Sequence, residues 1–217
     1  MENNLEEADL RKILLIGGGG HCRSVLDCII ASGEYDDIGI VDKDPVELNG
    51  AIYAGSDEEL PDLFEKGWNE AFVTLGSIGS TVVRRRLSIM LDSIGFNMPV
   101  VVDPSAIIAT DVKVRPGTFI GKRAIVNSGA EIGSCSIINT GAIIEHDCII
   151  GDFVHVSPGA VLCGAVTVGD DCHIGAGTVV RQMVHIGSDA MIGAGSIVVS
   201  DMPSDTKAYG NPCKVRK

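Results

Sequence analysis

The chain has 217 residues, of which 45% are apolar, and this fraction supports a packed core and argues against a disordered protein. The formal net charge of −12 argues against a nucleic-acid-binding protein and against binding to an anionic membrane surface. The seven cysteines form no CxxC pair. The start is polar and acidic, and no apolar run approaches the roughly 20 residues of a membrane span. We therefore expect a cytoplasmic protein with reduced thiols and no membrane insertion.

Strands and helices alternate in the first part of the chain. The predicted elements are a buried strand at 12–16, a glycine loop at 17–20, a helix at 24–32, strands at 38–42 and 71–76, and a helix at 81–94. Such alternation is typical of a parallel α/β sheet. We expect residues 1–100 to form a small Rossmann-like domain.

The glycine loop Gly17–Gly20 indicates an anion-binding site, because backbone N–H groups between a strand and a helix point toward the ligand. Asp42 follows about 20 residues later, where a ribose-binding carboxylate belongs. However, Cys22 stands where a dinucleotide fingerprint needs its third glycine, and about 90 residues are too few for both halves of a dinucleotide fold. A nucleotide sugar therefore fits better than NAD, and a tight turn without a ligand is the alternative.

A strict period of six residues begins near residue 100. Every sixth residue from Val102 is Ile, Val or Leu, without an insertion. The residues are Val102, Ile108, Val114, Ile120, Val126, Ile132, Ile138, Ile144, Ile150, Val156, Leu162, Val168, Ile174, Val180, Ile186, Ile192 and Val198. A second column of small or β-branched residues follows four positions after each. This repeat predicts a parallel β-helix, in which three hexads close one triangular coil. We expect it to fill residues 101–217 together with a C-terminal tail.

The phase of the repeat places the histidines outside the prism. His146 lies two residues after Ile144, in a turn or on an outward position. His155 and His173 are one coil apart, so we expect them to stack on the same outer face. For His173 and His185 a solvated surface role is favoured. Cys148 and Cys172 fall in the small inward column and are expected to be unreactive core residues.

Four segments resemble the bacterial hexapeptide-repeat sugar acetyltransferases, which include nucleotide-amino-sugar N-acetyltransferases and sialic-acid O-acetyltransferases. The segments are Gly20–His21, Asn139–Asp147, His155–Ala160 and Gly210–Lys214. The resemblance implies a left-handed prism, a homotrimer with active sites between neighbouring chains, and acetyl-CoA as the co-substrate without a metal.

The resemblance also implies roles for individual residues. His146 matches the catalytic base, and Asp147 matches the carboxylate thought to increase its basicity. Asn139 matches a residue of the same pocket. The matches for acetyl-CoA binding are His155 and Gly164 at the thioester end and Ala176 and Ala194 further along. The matches for nucleotide-sugar binding are Gly19, Gly20, His21, Asp42 and Gly76, together with Lys43, which replaces an acidic residue found in some relatives.

We therefore expect an acetyl-CoA-dependent acetyltransferase that N-acetylates a UDP-linked 4-amino sugar in glycan biosynthesis. The sugar nucleophile must lose a proton as it attacks the thioester directly, and a histidine is suited to accept that proton as a general base. Sialic-acid O-acetylation is the alternative. A metal-dependent hydratase on the same prism needs three convergent histidines, of which His155 and His173 would supply two. A non-enzymatic nucleotide-sugar-binding scaffold would not need the His146–Asp147 pair.

Overall fold

The computed structural model describes residues 10–216. The polar, acidic start up to residue 9 lies outside the described residues, as does Lys217. Within this range no helix combines the length and the apolar character needed to cross a bilayer.

The first part of the chain is a four-stranded parallel sheet covered by helices, as the alternation predicts. Its strands lie in the order β3-β2-β1-β4, and α1 crosses from β1 to β2. The elements are β1 (Lys12–Ile16), α1 (Gly20–Ser32), β2 (Asp37–Val41), β3 (Ile52–Gly55), a 3₁₀ turn (Asp57–Glu59), α2 (Leu60–Glu65), β4 (Glu70–Val73) and α3 (Val82–Ile94).

Two elements of this sheet domain escape the sequence patterns, and one begins earlier than expected. β3 is an edge strand whose Ile52 and Tyr53 are exposed, so it shows no buried apolar run. The helix α2 has six residues, too few to show a helical period. The helix α1 starts at Gly20 rather than at residue 24, and therefore begins directly at the glycine loop.

The second part is a triangular prism with one short strand in each hexad. The strands are β5 (Val101–Val102), β6 (Ile107–Ile108), β7 (Lys113–Val114), β8 (Phe119–Ile120), β9 (Ile125–Val126), β10 (Glu131–Ile132), β11 (Ile137–Ile138), β12 (Ile143–Ile144), β13 (Ile149–Ile150), β14 (His155–Val156), β15 (Val161–Leu162), β16 (Thr167–Val168), β17 (His173–Ile174), β18 (Val179–Val180), β19 (His185–Ile186), β20 (Met191–Ile192) and β21 (Ile197–Val198). The tail adds β22 (Lys207–Tyr209) and β23 (Lys214–Val215) beside β20.

Each strand of the prism pairs in parallel with the strand three positions later in the chain, which produces three sheets. We name each sheet by what lies on its outer surface. The covered face contains β5, β8, β11, β14, β17 and β20, and the sheet domain packs on it. The aliphatic face contains β6, β9, β12, β15, β18 and β21. The polar face contains β7, β10, β13, β16 and β19, and its outward side chains are mostly polar.

The inward column has the predicted register. Ile132, Ile138, Ile144 and Ile150 are at most 2% exposed and lie in one continuous core. Ile108 and Val114 are partly buried, and Val102 is the one exposed member of the column, at 37%. Its strand lies at the end of its sheet, so the first coil has a neighbour on one side only.

The glycines that follow the inward aliphatic residues are required by the packing of neighbouring coils. Gly133 and Gly175 follow inward aliphatic residues, and a Cβ on either would collide with the backbone of the next coil. These glycines therefore permit close approach between coils. The left-handed backbone conformation occurs two residues later in the hexad, and residues such as Asp147 adopt it as well as glycine.

The sheet domain and the prism share a core. Phe119 and Ile137 on the covered face pack with apolar residues of α1, β1 and β2 in one cluster. At the other end of this interface, Arg85 of α3 donates two hydrogen bonds, at 2.8 and 2.5 Å, to Asp171 of the prism. The two parts therefore hold a defined orientation.

Candidate active site

The His146–Asp147 pair occupies the corner between β12 and β13. His146 Nδ1 lies 2.9 Å from Asp147 Oδ2, and both side chains are about two-thirds exposed. Because an ionised carboxylate only accepts, Nδ1 carries the proton and donates it, which leaves the Nε2 lone pair free on the neutral ring. The backbone on either side is fixed by Asp147 N–H to Ser128 O at 3.0 Å and Ala165 N–H to His146 O at 2.8 Å. This corner therefore presents an oriented base on a rigid support.

Gly164 lies one coil beyond His146 at the same corner. A Cβ on Gly164 would stand 2.5 Å from His146 Nε2 and 2.6 Å from Cε1. The absence of a side chain at Gly164 is therefore what permits the observed ring position. Gly164 and His146 therefore lie against each other at this corner.

His155 is buried on the covered face and uses both ring nitrogens. Its Nδ1 lies 3.0 Å from the carbonyl oxygen of Ser77, and its Nε2 lies 3.1 Å from Asn139 Nδ2. A carbonyl only accepts, so Nδ1 carries the proton and Nε2 accepts from the Asn139 amide. Burial is the largest cause of the lowering of the His155 pKa to about 4. The ring is therefore neutral at physiological pH.

Two further histidines flank His155. His173 pairs with His155 in register and stacks edge-on at 5.1 Å between ring centroids, as the 18-residue spacing predicts. The expectation that His173 is a solvated surface residue is wrong, because it is half-buried and burial lowers its pKa. His21 of α1 packs edge-on against Phe119 at 5.3 Å, and burial lowers the His21 pKa to about 4. His185 is exposed, as expected.

The glycine loop divides into a structural half and an open half. A Cβ on Gly17 or Gly18 would clash with Leu75 or Val46, so these two glycines are needed for packing. Gly19 and Gly20 face open space at the start of α1, and no side chain caps this helix. The uncapped N–H groups and the helix dipole favour an anion at this position.

Of the remaining residues expected in the sheet domain, Asp42 bonds this loop and Gly76 lies beside His21, whereas Lys43 lies in solvent. Asp42 Oδ2 accepts the Gly18 N–H at 2.6 Å, so this carboxylate shapes the loop. Gly76 lies next to His21, since a Cβ on Gly76 would be 3.7 Å from the His21 Cβ. Lys43 is 88% exposed and pairs with Asp44 at 3.6 Å, so it points away from the loop into solvent.

The expected site residues lie on two different edges of the aliphatic face. Asn139, Ala176 and Ala194 lie on the edge shared with the covered face, here called the Asn139 edge. His146 and Gly164 lie on the edge shared with the polar face, here called the His146 edge. Within one chain, Asn139 therefore contacts His155 and stands at the opposite end of β12 from His146. Ala176 and Ala194 are exposed and line their edge with small side chains.

The three neighbouring histidines do not form a metal centre. Both nitrogens of His155 are engaged by Ser77 and Asn139. In the part of the chain that the structure describes, no group of three or more His, Cys, Asp or Glu side chains is arranged to hold a metal ion. The seven cysteines are free, and burial raises the pKa values of Cys148 and Cys172 to about 11.

Two residues at this site had no signal in the sequence. Ser77 follows β4 and supplies the carbonyl that holds His155. Arg84 belongs to a run of three arginines in α3 that the sequence marks only as charged, yet it is 4% exposed. A polar residue in a loop and a charged residue in a helix become recognisable as site residues only through their partners.

A prism of hexads with an oriented, exposed histidine at its corner defines a hexapeptide-repeat acyltransferase. Two family models match the chain, the PglD N-terminal domain over residues 12–91 and the bacterial transferase hexapeptide (six repeats) over residues 147–182. No curated protein sequence matches the chain significantly.

Several solved structures are similar to the chain over almost its whole length. PerB from Caulobacter crescentus, crystallised with CoA and GDP-perosamine, is 36% identical with a TM-score of 0.89, and the match covers 95% of this chain and 97% of that one. The acetyltransferase domain of PglB from Neisseria gonorrhoeae, crystallised with acetyl coenzyme A, is 31% identical with a TM-score of 0.89 over 95% and 100%. WeeI from Acinetobacter baumannii, at 23% identity and a TM-score of 0.84 over 95% and 100%, shows the shared fold.

The chain belongs to the hexapeptide-repeat sugar acetyltransferases. It is an acyltransferase, and the expected fold is confirmed: a small parallel α/β domain followed by a left-handed parallel β-helix.

Proposed function

We propose that the chain transfers the acetyl group of acetyl-CoA to the amine of a nucleotide-linked 4-amino sugar, as a step of glycan biosynthesis. The observation that carries this proposal is the exposed His146–Asp147 pair, in which Nδ1 and Oδ2 are 2.9 Å apart. The chain that holds this pair is similar to proteins crystallised with CoA and GDP-perosamine or with acetyl coenzyme A. We assign nucleotide-sugar binding to residues 1–100 and acetyl transfer to residues 101–217. The free cysteines support a cytoplasmic location, where acetyl-CoA is available.

The chemistry needs one base and no covalent intermediate. The His146 Nε2 removes a proton from the sugar amine as the amine nitrogen attacks the thioester carbon. The tetrahedral intermediate then expels the CoA thiolate, which takes the proton back from the imidazolium. Asp147 holds the Nδ1–H and stabilises the imidazolium while it carries the proton.

The sheet domain supplies the acceptor site. The open N–H groups at Gly19 and Gly20 suit the diphosphate of a nucleotide sugar, and Asp42, His21 and Gly76 surround them. Lys43 is solvated and paired with Asp44, so its assignment to the acceptor site rests on its sequence match alone.

Acetyl-CoA extends along the small residues of the Asn139 edge. Ala176 and Ala194 leave room for the pantetheine arm, and His155 with Asn139 forms the wall near the thioester. Gly164 leaves room at His146. Since Asn139 and His146 lie on opposite edges, one chain alone does not assemble this site.

A homotrimer resolves this separation, and the aliphatic face supports one. Its six outward side chains are all aliphatic, and the sheet domain covers a different face. They are Ile107, Ile125, Ile143, Val161, Val179 and Ile197. Three such faces turned toward a three-fold axis bury this surface, and each His146 edge then meets the neighbour's Asn139 edge, as in any ring of head-to-tail contacts.

An acceptor panel tests the reaction. Purified protein with acetyl-CoA is offered UDP-linked and GDP-linked 4-amino sugars and sialic acid, and products are identified by mass spectrometry. We expect N-acetylation of a nucleotide-linked amine. Acetylation of sialic acid alone, or of none of these acceptors, would refute the proposal. Calorimetry with the same nucleotide sugars and with NAD tests the acceptor site separately, and tighter binding of NAD would contradict it.

Complementation between two inactive variants tests the shared site. His146→Ala and Asn139→Ala chains are mixed, dissociated and reassembled. If each site takes His146 from one chain and Asn139 from the next, random reassembly restores about a quarter of the sites. If both residues act within one chain, no intact site forms and activity stays at the level of the separate variants.

A further inference from the structure

Arg84 is a buried charge that the reaction proposed above does not use. It is 4% exposed, and its guanidinium donates to Ser77 Oγ at 3.0 Å and to the carbonyl oxygen of Cys135. The carboxylate of Asp171, which acts on the Arg84 charge without a hydrogen bond to it, is bound by Arg85. Burying an arginine without a directly bonded carboxylate is unfavourable, and burial lowers the Arg84 pKa to about 10. The stability of the fold therefore does not by itself account for a buried arginine at this position.

Ser77 connects this guanidinium to the site. Its hydroxyl accepts from Arg84, and its backbone carbonyl accepts the Nδ1–H of His155 at 3.0 Å. Ser77 lies one residue after Gly76, in the loop that faces His21. The position of this carbonyl therefore depends on a contact between α3 and the loop.

The hydrogen bonds continue from His155 to Asn139, at the acetyl-transfer site proposed above. With its proton on Nδ1, His155 accepts at Nε2 from Asn139 Nδ2 at 3.1 Å. The Thr140 N–H donates to Asn139 Oδ1 at 2.8 Å, which fixes which end of the amide faces His155. One Asn139 N–H is left for another acceptor. If the Ser77 carbonyl moved, the Nδ1–H of His155 would lose its acceptor. A change of tautomer or ring position would then leave the Asn139 amide held only by the Thr140 N–H.

We propose that Arg84 is a positioning residue, which holds Ser77 so that His155 keeps its Nδ1–H form and Asn139 keeps an N–H directed to the acetyl-transfer site. This inference rests on the proposed function, because it assigns Asn139 to that site. The same hydrogen bonds connect the sheet domain to the prism, from the loop at Ser77 to the Asn139 edge.

Arg85 is the matched control. It lies next to Arg84 on α3 and also anchors that helix to the prism, through Asp171. It makes no hydrogen bond to Ser77, His155 or Asn139 in the part of the chain that the structure describes. If Arg84 only fastens α3 to the prism, Arg84→Met and Arg85→Met should lower activity equally.

The experiment compares steady-state kinetics and histidine ¹⁵N NMR of the wild type, Arg84→Met, Arg84→Lys, Arg85→Met and Ser77→Ala. We expect Arg84→Met to lower kcat by about 10- to 100-fold, since small displacements of positioned groups have effects of this order. We expect Arg85→Met to lower kcat less than about threefold. Arg84→Lys should recover part of the loss, because an ammonium group reaches one of the two acceptors but lacks the fork of the guanidinium.

The NMR spectrum reports on His155 without any turnover, so the inference and the proposed function fail in different ways. In the wild type, the His155 resonances, identified by their loss in His155→Gln, should show a single Nδ1–H form that Arg84→Met converts to a mixture and Arg85→Met leaves unchanged. Should Arg84→Met not fold, Ser77→Ala, which removes only the hydroxyl, must show the same mixture and a reduced kcat. A single Nδ1–H form in every variant, or equal kcat losses for Arg84→Met and Arg85→Met, overturns the inference. A wild type that acetylates no acceptor overturns the proposed function instead.

Discussion

Gly164→Ala places one methyl group against His146, the proposed catalytic base. The new Cβ would stand 2.5 Å from His146 Nε2, whereas a favourable carbon–nitrogen contact is about 3.5 Å, so the ring must move by about 1 Å. The ring is the outer end of an exposed side chain and can rotate away. The loss of stability should therefore stay near 1 kcal/mol, which covers an off-rotamer side chain and the exposed hydrogen bond to Asp147. Because a displacement of about 1 Å lowers rates by about 100-fold, kcat should fall by that order.

The assay is a double-mutant cycle with His146→Ala, measured by kcat and by urea unfolding. In the His146→Ala background, Gly164→Ala should reduce kcat no further, because the group it displaces is already absent. The reasoning is refuted if Gly164→Ala retains full kcat, or if its effect on kcat is as large without His146 as with it. A Gly164→Ala chain that loses several kcal/mol of unfolding free energy would show that the ring does not yield.

His146→Ala should lower kcat by about 10²- to 10⁴-fold, because a general base acts on the chemical step, and calorimetry should show an unchanged Kd for acetyl-CoA. Asp147→Asn should lower kcat less. If the affinity of His146→Ala for acetyl-CoA weakened in step with kcat, this role would be contradicted. Ile143→Lys on the aliphatic face should dissociate the proposed trimer in light scattering, whereas Ile149→Lys on the polar face should leave it intact; equal behaviour of the two variants would argue against this interface. Acid should destabilise the fold between pH 6.5 and about 4, because the unfolded chain protonates His155 from its ordinary value of 6.5 downwards while the native ring stays neutral until about pH 4. Between pH 7.5 and 5, the wild type should lose about 2 kcal/mol more unfolding free energy than His155→Gln, and parallel losses in the two proteins would show that His155 is not the group responsible.

The prism was predictable from the sequence because its information is local. A hexad repeats the same strand and corner, so residue type alone separates the inward column from the outward one, and the register from Ile120 to Val198 is as expected. The single failure, the exposed Val102, lies at the end of the stack, where the pattern continues but the neighbouring coil does not. The sequence also located the exposed His146–Asp147 pair, because phase forbids a histidine in so narrow an interior.

The sheet domain was predictable in its alternation and less so in its details. Buried strands and amphipathic helices carry strong patterns, whereas the exposed edge strand β3 and the short α2 do not. The glycine loop was recognised, but the pattern did not distinguish Gly17 and Gly18, which packing requires, from Gly19 and Gly20, which leave open space.

The sequence by itself determined the two fold types, the inward column and the outward position of His146, since each follows from a short repeating pattern along the chain. Only the tertiary structure decided that the sheet domain covers His155 and His173 and that Arg84 reaches Ser77 and Cys135. The His155–Ser77 and Arg84–Cys135 hydrogen bonds join residues 78 and 51 positions apart. Such contacts depend on how one domain is oriented on the other, and no local periodicity encodes that orientation.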